Sequence, residues 1–250
     1  MSEQNKNVQF VDLGLIPYRE AWDIQEMILA KTAAIKLANR GLSEGAQQVT
    51  DNTLLFCEHP HVYTLGKSGD ASHLLMQEEF LHTIGATFFK TNRGGDITYH
   101  GPGQLVGYPI FDLENFFTDI HLYLRMLEEA IIRTCAEYGL QAGRIEGLTG
   151  VWIEPDSAHS RKICAFGVKA SRWISMHGFA FNVSTELGYF SHIVPCGISE
   201  RGVTSLSHEL GRDIDLNEVK AIVLRQLAEL FLFSFTHVSR ETLLSTNHHE

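Results

Sequence analysis

The chain has 250 residues, a mass of 28.1 kDa and a formal net charge of −10. Hydrophobic residues make up 44%, which suits a packed core and excludes a disordered chain. The chain is acidic, has no apolar run near the roughly 20 residues that span a bilayer, and has no signal-peptide pattern. These features predict a soluble cytoplasmic protein that binds neither nucleic acid nor membrane.

The first predicted element is a helix over residues 19–40, where apolar residues recur at intervals of three and four before Gly41. Short apolar runs bordered by Gly, Pro, Asn and Ser then predict a series of strands. These strands cover residues 53–57, 62–65, 86–90, 96–99 and 104–110.

A second helix is predicted from Thr118, with Thr118 or Asp119 as the N-cap and Gly139 as the C-terminal stop. Further strands are predicted over residues 150–154, 163–168 and 175–183, and the polar residues 154–161 indicate an exposed loop between two of them. A third helix is predicted over residues 216–233, with Asp215 and Glu218 as a capping box.

The grouping of the strands predicts the fold class. Strands that follow one another without intervening helices argue against a doubly wound parallel sheet. We therefore predict an α+β fold with a mixed or antiparallel sheet flanked by helices. No linker divides the chain, so residues 1–250 are predicted to form one domain with a core over about residues 9–235 and a loose tail over about residues 240–250.

Two segments resemble known binding motifs but lack residues that those motifs require. Gly66-Lys67-Ser68 resembles the end of a phosphate-binding loop, but the required earlier glycine is replaced by His61. Cys57, His59 and His61 alternate like metal ligands, yet Pro60 disrupts a strand there and no fourth ligand is identifiable. We interpret this segment as a turn after a buried strand and expect no metal and no nucleotide cofactor.

Residues 93–104 are the most informative segment, because four glycines and a proline alternate with several polar side chains. Such glycines permit tight turns and close backbone approach. Side chains that could donate, accept or stack are those of Arg93, Asp96, Thr98, Tyr99 and His100. The composition favours a ligand-lining loop over an ordinary hairpin turn.

The four cysteines fall into two groups. Cys57, Cys135 and Cys164 lie in apolar runs and are predicted to be core residues. Cys196 instead lies between Pro195 and Gly197, a context that suits either a thiol displayed at a turn or a buried loop cysteine.

A nucleophilic thiol needs a neighbouring base or cation, because the free thiol has a pKa of about 8.5. Five side chains are candidates for this partner, and spacing alone does not choose among them. They are Lys162, Lys169, His100, His177 and His192.

Several motifs together resemble the lipoyl(octanoyl) transferase family. They run in order across most of the chain, and the combination of the RGG-x-x-TYHGPGQ loop, a downstream lysine and Pro-Cys-Gly is specific. The matching segments are residues 58–66, 93–104, 107–109, 150–152, 162–167, 176–182, 195–197 and 203–206.

The resemblance implies a biotin/lipoate protein ligase-like catalytic domain that transfers an octanoyl group from acyl carrier protein to a lysine of a lipoyl domain. By motif matching, Cys196 would be the acyl-accepting nucleophile and Lys162 its basic partner, without a cofactor. The implied substrate-binding residues are Arg93, Gly94, Gly95, Asp96, Ile97, Thr98, Tyr99, His100, Ala165, Phe166, Gly167, Gly178, Phe179 and Ala180. We expect Tyr99, Phe166, Phe179 and Phe181 to provide apolar walls.

The implied partners are octanoyl-acyl carrier protein as the donor, with lipoyl domains of 2-oxo acid dehydrogenase acyltransferase subunits and the glycine cleavage H protein as acceptors. Both donor and acceptors are expected to be acidic. An acidic enzyme then needs a local basic rim, for which Arg93, Lys169, Arg172 and Arg201 are candidates.

Other functions remain as alternatives at this point. A lipoate or biotin ligase would consume ATP and a free acid, although Pro-Cys-Gly and the missing adenylate-type loop argue against it. A cysteine thioesterase would pass the acyl group to water, and a noncatalytic acyl-binding module would be indifferent to Cys196→Ser. Amidotransfer between two lipoyl domains would use a similar thiol with another donor.

Overall fold

The computed structural model describes residues 4–194 and 202–247. The strands are β1 (Asn7–Leu15), β2 (Asn52–Glu58), β3 (Val62–Leu65), β4 (Thr87–Lys90), β5 (Ile97–His100), β6 (Gln104–Ile110), β7 (Ala142–Ile145), β8 (Leu148–Ile153), β9 (Arg161–Ser171), β10 (Ile174–Asn182), β11 (Gly202–Val203) and β12 (Ser234–His237). The helices are α1 (Tyr18–Asn39), α2 (Glu78–Leu81), α3 (Ile120–Glu137), α4 (Leu206–Leu210), α5 (Leu216–Phe231) and α6 (Arg240–Asn247).

Nine of the described strands form one mixed sheet. Its order is β12-β1-β2-β6-β10-β9-β8-β7, with the short strand β11 beside β9. The pairs β12–β1, β1–β2 and β11–β9 are parallel, and the other neighbours are antiparallel. The mixed direction predicted from the grouping of the strands is therefore observed.

Helices cover both faces of this sheet. On one face, α1 buries Ala21, Ile24 and Ile28 against alternate residues of the central strands. On the other face, α3 and α5 enclose the larger apolar cluster, where Leu127 and Val223 are fully buried. Since α3 carries its apolar residues on one stripe, its position follows from sequence periodicity. No helix of the described residues is long and apolar enough to cross a bilayer.

The ends of the predicted helices are stabilised largely as expected. Asp119 is the N-cap of α3 and accepts a hydrogen bond from Leu122 N–H at 3.0 Å, while Gly139 adopts a φ of +76° just beyond its end. The capping box on α5 is only half formed. Asp215 accepts from Asn217 N–H, but the Glu218 carboxylate accepts from the Tyr138 hydroxyl instead of turning back to the cap.

A small three-stranded sheet, β4-β3-β5, lies beside the large one and has its own apolar cluster. Tyr63 and Tyr99 are fully buried there. The Tyr99 ring stacks on Tyr189, with centroids 5.0 Å apart, and contacts the edge of Phe190. These contacts hold the 3₁₀ turn over residues 187–192 on the small sheet.

The interpretation of residues 240–250 as a loose tail is wrong for their described part. Residues 240–247 form α6, which packs against α1 and β1. Leu243 is 1% exposed in the same cluster as Ile24 and Ile28. The helix was missed because one buried leucine, followed by a partly buried one, gives too short an apolar pattern to detect.

Candidate functional site

A cavity of about 510 Å³ lies between the central strands of the large sheet and the loops of the small sheet. Strands β6, β9 and β10 supply its floor, and Tyr18 at the start of α1 supplies part of its wall. Its lining residues are Tyr18, Ser68, Arg93, Gly94, Gly95, Asp96, Ile97, Thr98, His100, Gln104, Val106, Tyr108, Leu124, Gly147, Leu148, Thr149, Lys162, Ala165, Phe166, Gly167, Val168, His177, Gly178, Phe179, Ala180, Asn182, Phe190 and Val203.

Small residues on neighbouring strands leave room for this cavity. Ala165 and Ala180 are register partners, as are Gly167 and Gly178, and Val106 stands beside Ala180 on the next strand. Since paired side chains on one face lie side by side, this part of the sheet forms a shallow floor. Larger side chains at these positions would occupy the cavity.

The start of the glycine-rich segment closes over β9. Gly94 N–H donates to the carbonyl of Val168 at 3.0 Å, and a Cβ on Gly167 would lie 2.8 Å from the Gly94 carbonyl oxygen. The backbone therefore approaches the sheet closely enough to require glycine at position 167. Gly95 has a φ of +85°, which explains the second glycine of the loop.

Arg93 is buried, with 7% of its surface exposed, and its guanidinium bonds to backbone and side chain within the small sheet. It donates to the Thr64 carbonyl at 2.6 Å and to the Thr64 hydroxyl at 3.0 Å. The expectation that Arg93 belongs to a basic rim is therefore wrong. Its charge is used to hold the loop against β3, because a buried guanidinium must be hydrogen-bonded.

A chain of buried polar groups joins the glycine-rich segment to the residues that follow position 201. His100 Nδ1 lies 2.8 Å from Gln104 Oε1, and Gln104 Nε2 donates to Asn182 Oδ1 at 2.9 Å. Asn182 in turn donates to the Thr204 carbonyl at 3.0 Å, and Thr204 N–H donates to the Lys162 carbonyl at 2.9 Å. These bonds tie β5, β6, β10 and β9 into one rigid wall.

Lys162 lies on β9 at one end of the cavity. Its Nζ lies 4.7 Å from the centre of the Trp152 ring, and Val203 is its register partner on β11. A Cβ on Gly150 would come within 3.0 Å of Lys162 Cε. The absence of a side chain at position 150 therefore makes room for the lysine stem.

The three cysteines predicted to be core residues are all fully buried: Cys57, Cys135 and Cys164. Burial raises the pKa of the Cys135 thiol to about 12 and raises the pKa of the other two well above the usual value. All three thus stay as neutral thiols near pH 7 and are unsuited to nucleophilic attack. Cys196 lies outside the described residues.

The other candidate partners of a thiol are placed differently. His100 and His177 lie in the cavity wall, where burial lowers the pKa of His177 to about 3 and holds the pKa of His100 well below its usual value. Lys169 Nζ lies 3.8 Å from Glu26, and His192 packs edge-on against Tyr189. Of the five candidates, the described geometry brings Lys162, His100 and His177 to the cavity.

Thirteen of the fourteen predicted substrate-binding residues are among the lining residues. Tyr99 is not, because its side chain points into the small sheet, where its hydroxyl lies 2.7 Å from His61 Nδ1. The side chains of Phe179 and Phe181 both belong to the core cluster enclosed by α3 and α5, and Phe166 packs against that cluster, although Phe166 and Phe179 are also among the lining residues. Of the remaining rim candidates, Arg172 is exposed at the β9–β10 turn and Arg201 lies outside the described residues.

Several wall residues were not anticipated, above all Tyr18, Gln104, Tyr108 and Asn182. Gln104 and Asn182 lie inside the motifs that resemble the family. Because they are polar residues in apolar runs, the sequence could have identified them as candidate wall residues. Tyr18 carries no such signal, since an aromatic residue at a helix start is ordinary. Tyr18 is far from the other wall residues in the sequence, and only folding brings them together.

Of the alternating Cys57, His59 and His61, the first two are in contact, with 3.6 Å between Cys57 Sγ and His59 Nε2, whereas His61 contacts other groups. His59 lies 2.8 Å from the Ile16 carbonyl and 2.7 Å from the Tyr108 hydroxyl, while His61 stacks on Tyr189. Among the described residues no group of three or more His, Cys, Asp or Glu side chains could hold a metal ion. Burial lowers the pKa of His59 to about 4, so that it is neutral near pH 7.

Comparison with solved structures defines the fold class. The bipartite lipoate protein ligase of Thermoplasma acidophilum superposes with a TM-score of 0.69 at 18% identity, over 97% of this chain and 91% of the other. This likeness concerns the fold and confirms the predicted lipoate protein ligase-like architecture. The cavity thus lies in a catalytic-domain fold of the lipoate protein ligase class.

Sequence comparison narrows the class to a family. Residues 17–228 match the lipoyl protein ligase A/B catalytic domain. A relative from Cytophaga hutchinsonii, named octanoyltransferase, is 56% identical over 95% of this chain and 98% of its own length. A second octanoyltransferase, from Christiangramia forsetii, is 58% identical over 91% of this chain and 97% of its own. The chain belongs to the octanoyltransferase family of acyl-transferring enzymes, which confirms the resemblance drawn from the motifs.

Proposed function

We propose that this protein transfers an octanoyl group from octanoyl-acyl carrier protein to a lysine of lipoyl domains, through a thioester on Cys196. The observation that carries the proposal is the position of the residues on either side of the thiol in the sequence. Phe190 precedes Cys196, Val203 follows it, and both line the same cavity as Lys162.

The described residues on either side of positions 195–201 are held by backbone contacts. Val194 N–H donates to the His73 carbonyl at 2.9 Å, and Ile193 forms an antiparallel bridge with Leu74. On the other side, Gly202 pairs with Arg161 of β9 and Val203 pairs with Lys162. The residues that flank Cys196 thus lie beside the small sheet on one side and beside the strand of the proposed base on the other.

In the first half-reaction the Cys196 thiolate attacks the carbonyl carbon of the carrier-bound thioester. Lys162 takes the thiol proton as the thiolate forms. The tetrahedral intermediate then collapses, the bond to the carrier sulfur breaks, and Lys162 returns the proton to the departing carrier thiolate. The products are acyl-Cys196 and the free carrier thiol, so protons and charge balance.

In the second half-reaction the neutral amine of the acceptor lysine attacks acyl-Cys196. Lys162, now neutral, accepts a proton from the attacking nitrogen, and the Cys196 sulfur leaves as the amide forms. Exchange of one thioester for another is nearly balanced in energy, whereas conversion of a thioester to an amide is downhill. ATP is therefore not needed to drive the transfer.

The cavity floor suits a medium-length apolar chain. Ala165, Ala180 and Gly178 leave space above the sheet, while Val106 beside Ala180 adds apolar surface. The acyl carbonyl would lie near Lys162, and the chain would extend from there toward the glycine-rich loop. We propose that the transfer takes place in the cytoplasm.

The proposed donor is the octanoylated carrier protein, and the proposed acceptors are lipoyl domains of 2-oxo acid dehydrogenase acyltransferase subunits and the glycine cleavage H protein. Support comes from the octanoyltransferase names of the relatives and from the E2 lipoyl domain described together with the Thermoplasma ligase. Arg172 is exposed near one end of β9, and Lys169 is partly exposed on the same strand. We include both in the proposed contact surface for an acidic carrier.

Intact-mass measurement tests the proposal directly. The protein is mixed with octanoyl-acyl carrier protein in the absence of an acceptor, beside Cys196→Ser and Lys162→Met. We expect one octanoyl adduct on the wild-type chain, none on Cys196→Ser, and slow formation on Lys162→Met. Addition of an apo lipoyl domain should discharge the adduct and raise the mass of that domain by one octanoyl group.

The alternatives give different results in the same experiment. Adduct loss without a change in the lipoyl domain would indicate a thioesterase, and an adduct formed only from a lipoylated domain would indicate amidotransfer. Lipoyl-domain modification that requires ATP and free octanoate would indicate a ligase. Binding of the carrier unchanged by Cys196→Ser, with no transfer, would indicate an acyl-binding module.

A further inference from the structure

Trp152 and Lys162 are opposed across two neighbouring strands. They are register partners of β8 and β9, and Lys162 Nζ lies 4.7 Å from the centre of the Trp152 ring. The tryptophan is 2% exposed. A cation over the face of an aromatic ring is attracted by the negative potential of that face, and the attraction strengthens when water is excluded.

The lysine stem is confined at the same place. A Cβ on Gly150 would lie 3.0 Å from Lys162 Cε and 3.2 Å from the Cys164 carbonyl oxygen. Gly150 has a φ of +140°, a conformation that residues with side chains rarely adopt. The ring below and the bare backbone beside the stem together form a slot that fits one extended lysine.

We propose that Trp152 is a positioning residue for Lys162, holding its ammonium form at the cavity wall and thereby favouring the thiolate of Cys196. This inference rests on the proposed function. It explains why one of the largest side chains of the sheet stands beside the lysine rather than an aliphatic residue of the core. It also assigns the Gly150-Val151-Trp152 motif a direct role in the chemistry.

The described charged groups packed near Lys162 are engaged with partners of their own. From α3, Glu128 accepts from Gly150 N–H and is bonded to Arg125 and Arg144, which neutralise its charge. On β9, Cys164 is a buried thiol with a raised pKa, and Arg161 is paired with Glu209 and Glu154. On β11 and just after it, Val203 and Thr204 carry no ionisable side chain.

The thiolate–ammonium pair offers a readout that needs no substrate. Iodoacetamide reacts with thiolates, so the pH dependence of Cys196 alkylation follows its ionisation. The three described cysteines are fully buried, and Cys196→Ser identifies any alkylation at other sites. Rates are followed by intact mass between about pH 5 and about pH 10 for wild type, Trp152→Phe and Trp152→Leu.

We expect Trp152→Phe to retain the profile, because it keeps an aromatic face. Trp152→Leu should lower the alkylation rate at neutral pH by about tenfold and move the midpoint of the profile upward by about one pH unit. In the Lys162→Met background Trp152→Leu should produce no further shift. Trp173→Leu, on the exposed β9–β10 turn, serves as the matched control.

Two results would overturn the inference: a wild-type profile in a folded Trp152→Leu variant, or an equal shift from that substitution with and without Lys162. If Trp152→Leu does not fold, Gly150→Ala tests the same slot, because its Cβ would lie 3.0 Å from Lys162 Cε and 3.2 Å from Trp152 Nε1 and would crowd both partners. Acylation of the wild-type chain is measured in parallel. A missing octanoyl adduct would count against the proposed function, whereas a normal adduct with unaltered profiles would count against Trp152 alone.

Discussion

The imidazole of His73 and the carboxylate of Asp96 are hydrogen-bonded, with 2.5 Å between Nδ1 and Oδ2. Asp96 lies in the cavity wall, and the His73 carbonyl accepts the hydrogen bond from Val194 N–H. The glycine-rich loop is therefore linked, through one side-chain pair, to the backbone that precedes Cys196 in the sequence. A charge-assisted bond of this kind is stronger than a neutral one.

We expect His73→Ala to slow acylation of Cys196 by about tenfold, because it removes a charge-assisted hydrogen bond that positions the preceding backbone. The measurement is the single-turnover rate of adduct formation from octanoyl-acyl carrier protein. His82→Ala, an exposed histidine in the following turn, is the control. If His73→Ala and Asp96→Ala had fully additive effects on this rate, the two side chains would not act as a pair.

Ala180 is expected to limit the length of the acyl chain. It is 5% exposed, lines the cavity and stands between Val106 and Ala165 on the sheet floor. Ala180→Leu should reduce kcat/KM for octanoyl transfer by about 100-fold or more while a butanoyl donor is still used. Ala170→Leu, at an exposed position of β9, is the matched control, and equal losses for both chain lengths would contradict a length-determining role.

Buried neutral histidines should make the protein sensitive to acid. The pKa of His59 is lowered to about 4 and that of His177 to about 3, both by burial, whereas the unfolded value is about 6.5. The unfolded state therefore binds more protons below pH 6.5, and stability present above this pH is lost as the pH falls toward the folded-state values. Between pH 7 and pH 5, each of these histidines should lower the free energy of unfolding by about 2 kcal/mol.

Urea unfolding at several pH values measures this loss. His59→Gln should flatten the pH dependence by about a third, whatever its effect on stability at pH 7, because His100 and His177 are also buried with lowered pKa values. His237 lies on the exposed edge strand β12, and His237→Gln provides the comparison. A slope unaffected by His59→Gln would show that other groups bind the protons.

Helix α6 should contribute substantially to stability. Leu243 is 1% exposed and packs in the cluster between α1 and β1. We expect Leu243→Ala to lower the free energy of unfolding by about 2–4 kcal/mol, while Leu37→Ala, at a position 56% exposed, changes it little. A loss below about 0.5 kcal/mol for Leu243→Ala would restore the interpretation of this segment as a loose tail.

The sequence alone identified the elements that have their own apolar periodicity and their own start and stop residues. The apolar stripe of α3, with Asp119 before it and Gly139 after it, is local information, and so is the burial of Cys135 on that stripe. The glycines within residues 93–104 likewise indicated a loop whose backbone closely approaches a ligand or another part of the chain. The order of the motifs was enough to point to the family.

Tertiary structure decided which of these segments meet. Strand β12 has only exposed residues and no alternating pattern, and it is defined by its pairing with β1. Tyr18 and Lys162 are brought to one cavity from separate parts of the chain, and Trp152 meets Lys162 because side-chain contacts between strands depend on register rather than on spacing. The spacing of residues could name a lysine as a candidate base, but only the folded sheet places that lysine over an indole ring.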